Sequence, residues 1–361
     1  MKEFVIEFDS PTNAYYAGQN VTGKLRLNLD KPKKVRSIQI KFLGKGEVKW
    51  TVQEDVRQND GNTRSENVVY SGDEEYYTFK YNLAGGGNSE LEIAAGEHVY
   101  PFSATLPPLL PSSFDGEHGH VRYTVTATLD RPWKVDQHAT AIFTVVTPVD
   151  LNYNVKAKEP VKMEVEKSFC CCWCQSGPLQ LVLAMPYSGF VPGQSMPLTL
   201  EVDNASNVRV DNVVVKLEKV LNWKARDPQT KTRTDHVELS KLALEGIEPN
   251  GSKSWTQLMP IPNLPPVNLD QSTIISCTYT LTAVAEVSGC HSNLSVEVPV
   301  FLGTVPIYQP PLAAAAGGDA PQPSAPEAPI GFNVADGTPA NSLYPTITTP
   351  FLPQPDVTTA Q

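Results

Sequence analysis

Residues 15–29 read YYAGQNVTGKLRLNL, and residues 187–202 read YSGFVPGQSMPLTLEV. In each, an aromatic residue and a Gly-Gln pair lead into alternating apolar and polar residues, the period-two pattern of a strand with one buried face. Gly18-Gln19 and Gly193-Gln194 lie 175 positions apart, and the same offset aligns Leu25 with Leu200, Leu27 with Val202, Val35 with Val210, Ile38 with Val213, Ile40 with Val215 and Phe42 with Leu217. Beyond a shift of register, LPPLLP (106–111) matches IPNLPP (261–266), and YTVTAT (123–128) matches YTLTAV (279–284). Any two β-sandwiches share alternation. Pro-rich blocks recurring in the same order between equivalent strands require more, and the chain reads as one β-design used twice.

The strand signal extends to about residue 308. KLRLNL (24–29), RSIQIKFLG (36–44), VRYTVTATL (121–129) and HATAIFTVV (138–146) alternate apolar with polar residues. They are short and punctuated by turn residues such as Asn59-Asp60-Gly61 and Gly85-Gly86-Gly87, the spacing of a β-sandwich. No stretch of ten or more residues carries a helical period free of turn residues. The fold class expected is all-β: two tandem immunoglobulin-like β-sandwich domains, residues 1–148 and 178–308. A connection over 149–177 joins them. The length of 361 residues suits two domains of roughly 100–200 residues each.

Residues 309–361 hold eleven prolines, a four-alanine run and no Lys or Arg. Such a segment buries too little apolar surface to offset its ordering entropy, so a disordered Pro/Ala-rich tail is expected. The net charge of −10 and pI near 5.2 argue against a chain built to neutralise nucleic-acid phosphates. The first residues show no apolar core of a signal peptide, and no later stretch has the roughly 18 apolar residues of a membrane span. A cytoplasmic protein is expected. Its four Asn-x-Ser/Thr triplets then carry no sugar, and its six cysteines are thiols, ligands or modified sites rather than a disulfide framework.

Two tandem sandwiches opening on YYAGQNVTGKLRL and GFVPGQSMPLTLEVDNAS resemble the arrestin fold, and more specifically the α-arrestins, the arrestin-domain-containing proteins. HVYPFSATLPPLLPSSFDGEHGHVRYTVTATLDRPW (98–133) resembles the family's Pro-Phe segment and buried central strands. KSFCCCWCQSGPLQL (167–181) resembles its cysteine-bearing junction, and FLGTVPI (301–307) the end of its second domain. The resemblance covers about residues 3–308. It implies an adaptor rather than an enzyme, engaging receptors or transporters as membrane cargo and recruiting WW-domain ubiquitin ligases through Pro-Pro-x-Tyr motifs in the tail, in endocytosis and protein transport. Here the sequence departs from the family, because it contains no Pro-Pro-x-Tyr. Two alternatives follow: an endosomal sorting scaffold that works without a ligase, as the arrestin-like retromer subunits do, or a thiol-dependent regulator similar to the thioredoxin-interacting branch.

Candidate sites are few. In the tail, Leu343, Tyr344, Pro345 and Ile347 fit the Tyr-x-x-Φ pattern read by clathrin adaptors and resemble a Leu-Tyr-Pro-x-Leu peptide bound by endosomal sorting factors. An aromatic and an apolar side chain three apart on a proline-stiffened segment would fill two pockets at modest ordering cost, though so short a pattern also arises by chance. Cys170, Cys171, Cys172 and Cys174 allow three readings: apolar packing at the junction, palmitoylation for peripheral attachment at the plasma membrane or endosomes, or redox or zinc chemistry. The last lacks the helix that depresses a redox thiol and the spacing that zinc needs.

Basic residues gather at Lys31, Lys33, Lys34 and Arg36, and at Lys224, Arg226, Lys231 and Arg233, where they are either solvated loop charges or contacts to an anionic or membrane surface. His118 and His120 flank a glycine before a strand, with no further ligand at metal spacing, and read as turn residues. No nucleophile elbow or phosphate loop is present; no catalytic residue, metal or cofactor is assigned.

Overall fold

Gly18 and Gly193 hold φ of +86° and +87°, a left-handed conformation costing any residue with a Cβ about 1–2 kcal/mol. Each is the third residue of a turn: Gln19 N donates to Tyr16 O at 3.0 Å, and Gln194 N to Val191 O at 3.1 Å. This is type II geometry, with Pro192 at the preceding position in the second copy. The side chain repeats the arrangement, since Gln19 Oε1 accepts from Tyr16 N at 2.8 Å and Gln194 Oε1 from Val191 N at 3.0 Å. Each glutamine carbonyl then accepts a backbone N–H from the Pro-rich block, Leu106 at 2.9 Å and Ile261 at 2.8 Å. The recurrence of Gly-Gln with a distant proline segment therefore has a physical cause: the two are hydrogen-bonded in both copies.

The computed structural model describes residues 1–57, 63–87, 90–171, 174–175, 177–265 and 267–308. The first domain holds β1 (Glu3–Phe8), β2 (Ala14–Tyr16), β3 (Asn20–Leu29), β4 (Lys33–Val35), β5 (Ser37–Arg57), β6 (Thr63–Gly85), β7 (Leu91–Ile93), β8 (Gly96–Thr105), β9 (Phe114–Gly116), β10 (Gly119–Asp130) and β11 (Gln137–Val146). Sheet β1-β3-β8 faces sheet β2-β11-β10-β5-β6. Val21, Leu25, Leu27 and Leu29 from β3 meet Val121, Tyr123, Val125, Ala127 and Leu129 from β10, all on the inward parity of their strands. The two inner faces make one core, the arrangement that gives a sandwich its stability.

The second domain repeats this with β12 (Val161–Lys167), β13 (Cys170–Cys171), β14 (Cys174–Gln175), β15 (Leu179–Met185), β16 (Gly189–Phe190), β17 (Ser195–Asn204), β18 (Val210–Ala225), β19 (Lys231–Ile247), β20 (Gly251–Pro260), β21 (Ile275–Val287) and β22 (Leu294–Leu302). Sheet β12-β15-β17-β20 packs on sheet β16-β22-β21-β18-β19. The short strand before each Gly-Gln turn pairs in parallel with the last strand of its domain, β2 with β11 and β16 with β22. Among the described residues helix is confined to a 3-10 turn at Leu151–Tyr153 and one α-turn at Val155–Lys158, each capped by an Asx side chain, Asp150 and Asn154.

Part of the segment 149–177 is built into the second domain. β12 pairs with β15 along its length, and Val149 O accepts from Thr304 N at 2.9 Å and Val305 N at 3.1 Å. The chain thus leaves the first domain directly against the end of the second.

Candidate functional site

β5 and β6 contain 21 and 23 residues, and β18 and β19 contain 16 and 17. These hairpins are longer than one sandwich needs, and their far ends reach across to the other domain. Leu221, Trp223 and Ala225 on β18 belong to the buried core that the first domain makes. Trp223 is fully buried, with its ring centroid 5.9 Å from Phe114 and 5.9 Å from His118. Gly116 leaves the room: a Cβ there would stand 2.5 Å from the Trp223 ring. The Trp223 indole N–H donates to Asp235 Oδ2 at 2.7 Å on the neighbouring strand, so the ring's polar edge is satisfied where it is buried.

His118 sits in the β9–β10 turn, as expected from its flanking residues, but its side chain is buried. Its Nε2 makes no hydrogen bond among the described residues and lies 3.5 Å from Asp235 Oδ2 and 3.6 Å from Glu117. It is an aromatic wall of the interdomain contact.

A second clasp lies further along the hairpins. Tyr70 stacks on Trp50, with centroids 6.2 Å apart and planes at 17°. Lys231 from the second domain places Nζ 4.5 Å from the Tyr70 ring centroid and pairs with Glu54. Tyr70 donates its hydroxyl to Glu54 at 2.8 Å and accepts from Gln229 Nε2 at 3.1 Å. The hydrogen bond from Lys231, and then that from Tyr70, hold the Glu54 carboxyl below the usual range. A third group closes the row. Tyr76 donates to Ser272 Oγ at 2.7 Å, and Glu74 accepts both the backbone and the hydroxyl of Thr273 at 2.8 Å. Burial pushes the Tyr76 hydroxyl up to about 12. Backbone bonds between Ser71 and Asp227, and between Ser112 and Asn268, complete the seam.

The second basic group lies on this seam. Besides the Lys231 pair, Arg226 donates to Thr273 Oγ1 at 2.5 Å, and Arg233 Nε to Asp235 Oδ1 at 3.2 Å, while Lys224 is exposed. The first group, Lys31, Lys33, Lys34 and Arg36, lies at the opposite end of the first domain around β4, beside the loop 131–136. Of the cysteine run, the Cys170–Cys171 backbone pairs with Cys174–Gln175, and Cys172 lies outside the described residues. Phe169 beside it is buried, with its ring 5.0 Å from that of His291. The tail motif Leu343, Tyr344, Pro345 and Ile347 also lies outside the described residues.

Among the described residues no group of three or more His, Cys, Asp or Glu side chains could hold a metal ion. A cavity of about 10 Å³ lies near Val149, Leu264, Tyr279 and Thr304, room for at most one water. A broad open trough crosses the outer face of β15, β17 and β20. No helix of the described residues is long and apolar enough to cross a membrane.

Sequence reading did not single out Trp223, Asp235, Gly116, Tyr70 or Glu54. The available signal was length: alternation continuing over VVVKLEKVLNW, past the point where its partner core ends, announces a strand that serves two domains.

Comparison with known proteins agrees with the architecture. Residues 4–152 match the family model described as arrestin (or S-antigen), N-terminal domain, and residues 175–307 the corresponding C-terminal domain. Arrestin domain-containing protein 17 of Caenorhabditis elegans is 31% identical over 322 residues, covering 85% of this chain and 71% of that one. Arrestin domain-containing protein 1 of Mus musculus is 25% identical over 87% of this chain and 67% of its own length, and mouse arrestin domain-containing protein 4 is 26% identical over 82% and 70%. With both domain models matched in order and their interdomain seam in place, the chain belongs to the arrestin family, in its α-arrestin branch.

Proposed function

We propose that the chain is a trafficking adaptor, which holds cytoplasmic segments of receptors or transporters on its arrestin domains and links them through residues 309–361 to endocytic or sorting machinery. The observation that carries this reading is the reciprocal seam. Two sandwiches interlocked by Trp223 and by the Lys231–Glu54 pair form one platform, with the edge strands β1, β8, β12 and β20 held in fixed relation. Extended peptides add to such edges through main-chain hydrogen bonds, with alternate side chains supplying selectivity. The mechanism is stoichiometric binding, with no bond made or broken, at the cytoplasmic face of the plasma membrane or endosomes.

Residues Leu343, Tyr344, Pro345 and Ile347 are the segment assigned to clathrin adaptors or endosomal sorting factors. The absence of Pro-Pro-x-Tyr from the sequence favours sorting without a WW-domain ubiquitin ligase. Affinity purification of the intact chain beside a version ending at Tyr308, with bound proteins identified by mass spectrometry, tests both statements. Loss of coat and sorting proteins on shortening supports the tail as selector. An unchanged partner list rejects it, and ligases recovered with the intact chain reject the ligase-free reading.

A further inference from the structure

Trp133 is 100% exposed and Val135 is 84% exposed, an unusual state for two large apolar side chains in one short loop. The loop is not loose. Arg131 donates Nε to Val135 O at 3.0 Å and its backbone N–H to Asp136 Oδ1 at 3.2 Å, while Trp133 holds a left-handed φ of +59°. The turn between β10 and β11 therefore presents both side chains outward, clear of the fold.

Around them stand six cations: Lys31, Lys33, Lys34 and Arg36 near β4, and Arg131 and Lys134 in the loop itself. Arg36 N donates to Asp130 O at 2.9 Å and Lys33 Nζ to Gln137 Oε1 at 3.0 Å, which binds the two segments into one surface. Burial, and then the charges of Arg131 and Lys134, push the Lys33 ammonium down despite nearby Asp30, so like charges converge at this point. The acids close by are mostly engaged. Asp30 pairs with the N-terminal ammonium at 2.9 Å, Asp130 accepts from Arg36 Nε at 2.8 Å, and Asp136 is held by Arg131. Glu92 lies opposite Lys34 across the β4–β7 pair. Among the described residues Lys31, Lys33, Lys34, Arg131 and Lys134 form no ion pair, on a chain whose net charge is −10.

We propose that this end of the first domain, with Trp133 and Val135 at its tip and Lys31, Lys33, Lys34, Arg36, Arg131 and Lys134 around them, docks on an anionic lipid bilayer. A tryptophan on a protruding turn suits the headgroup layer, where its ring is buried and its N–H stays wet. The cations meet the negative surface potential of a cytoplasmic leaflet, each adding about a fivefold gain in partition. Both apolar side chains project outward rather than lining a groove, since Trp133 and Val135 are almost wholly exposed. Membrane contact here would orient the platform with this end of the first domain toward the bilayer.

Flotation of the full chain, produced without acylation, on phosphatidylcholine vesicles with and without phosphatidylserine tests the inference. Binding to the anionic vesicles alone is expected, weakening as salt rises. Trp133→Ser and Lys134→Glu should each weaken it, on the order of tenfold and, for a change of two charges, about 25-fold respectively, with an unchanged melting temperature because neither side chain packs on the fold. Binding that is absent, indifferent to both substitutions, or abolished by soluble phosphopeptide overturns the proposal, the last by making the surface a protein site. The vesicles carry neither cargo nor sorting proteins, so failure here leaves the adaptor reading untouched.

Discussion

Trp223 of the second domain stands edge-on to His118 of the first, with ring centroids 5.9 Å apart and planes at 79°. Burying that indole in a foreign core makes the two sandwiches one cooperative unit. Trp223→Ala removes the largest fully buried side chain among the described residues and leaves Asp235 without its indole donor. A loss of about 3–5 kcal/mol is expected, with the two domains melting separately in calorimetry. A single unchanged transition would mean that the seam contributes little.

Gly116→Ala tests the same contact from the other side. Its new methyl would sit 2.5 Å from the Trp223 ring tip, and a loss of about 1–3 kcal/mol follows from the overpacking. In a Trp223→Leu background the 2.5 Å clash is gone and only the Phe114 ring at 3.0 Å remains, so the cost of the glycine substitution should fall. Equal costs in both backgrounds would show that Gly116 serves its own backbone instead.

These two positions mark where legibility ended. Alternation and the Gly-Gln turns were readable because period two and a positive φ are local demands that the residue types betray. The repeat was readable because two such demands recurred at one offset. The seam was not, since Trp223 obeys the same inward parity as any core residue, and only the fold decides whose core receives it. Trp133 escaped for the opposite reason. Sequence marks an aromatic as core by default, and its exposure depends on a turn closed by Arg131 and Val135. The basic groups were visible as groups, but only geometry separates Lys231, paired with Glu54, from Lys34, which forms no ion pair among the described residues.

The Lys231–Glu54 clasp predicts a pH signature. Glu54's carboxyl is depressed by its hydrogen bond from Lys231, so its contribution is present above the ordinary carboxylate pKa of about 4.3 and is lost as pH falls through the lowered value. Lys231's ammonium is raised by the same bond, so its contribution is full below about 10.4 and is lost as pH rises through the raised value. The urea midpoint of the native chain minus that of Glu54→Gln should be flat between these limits and shrink beyond each. A difference independent of pH would show that the pair is spent in solvent.

Cys277 and Cys290 should react at different rates. Cys277 lies on β21 against both cores, and burial pushes its thiol up, so less thiolate is present at any given pH. Cys290 is exposed in the loop before β22. Alkylation at neutral pH followed by peptide mapping should modify Cys290 first and reach Cys277 only with global unfolding. Rapid modification of Cys277 would instead reveal an opening of the domain junction and make it a competent thiol for a mixed disulfide.

The duplication itself can be tested energetically. A Cβ at Gly193 would meet nothing within 4 Å, and one at Gly18 only Pro108 at an ordinary 3.7 Å, so alanine at either position is opposed by backbone conformation alone. Gly18→Ala and Gly193→Ala should therefore each cost about 1–2 kcal/mol, because φ is +86° in one and +87° in the other. Gln19→Ala and Gln194→Ala should also match each other, since each removes one bond to a turn N–H, at 2.8 and 3.0 Å, worth about 0.5–1.5 kcal/mol. Urea denaturation of the four variants measures both comparisons. Matching losses within each pair would show that the two turns do equal work at the head of each sandwich. A large cost confined to Gly18 or Gln19 would mean that the second turn keeps its geometry through Pro192, which already fixes φ at the preceding position and lowers the entropy lost on folding.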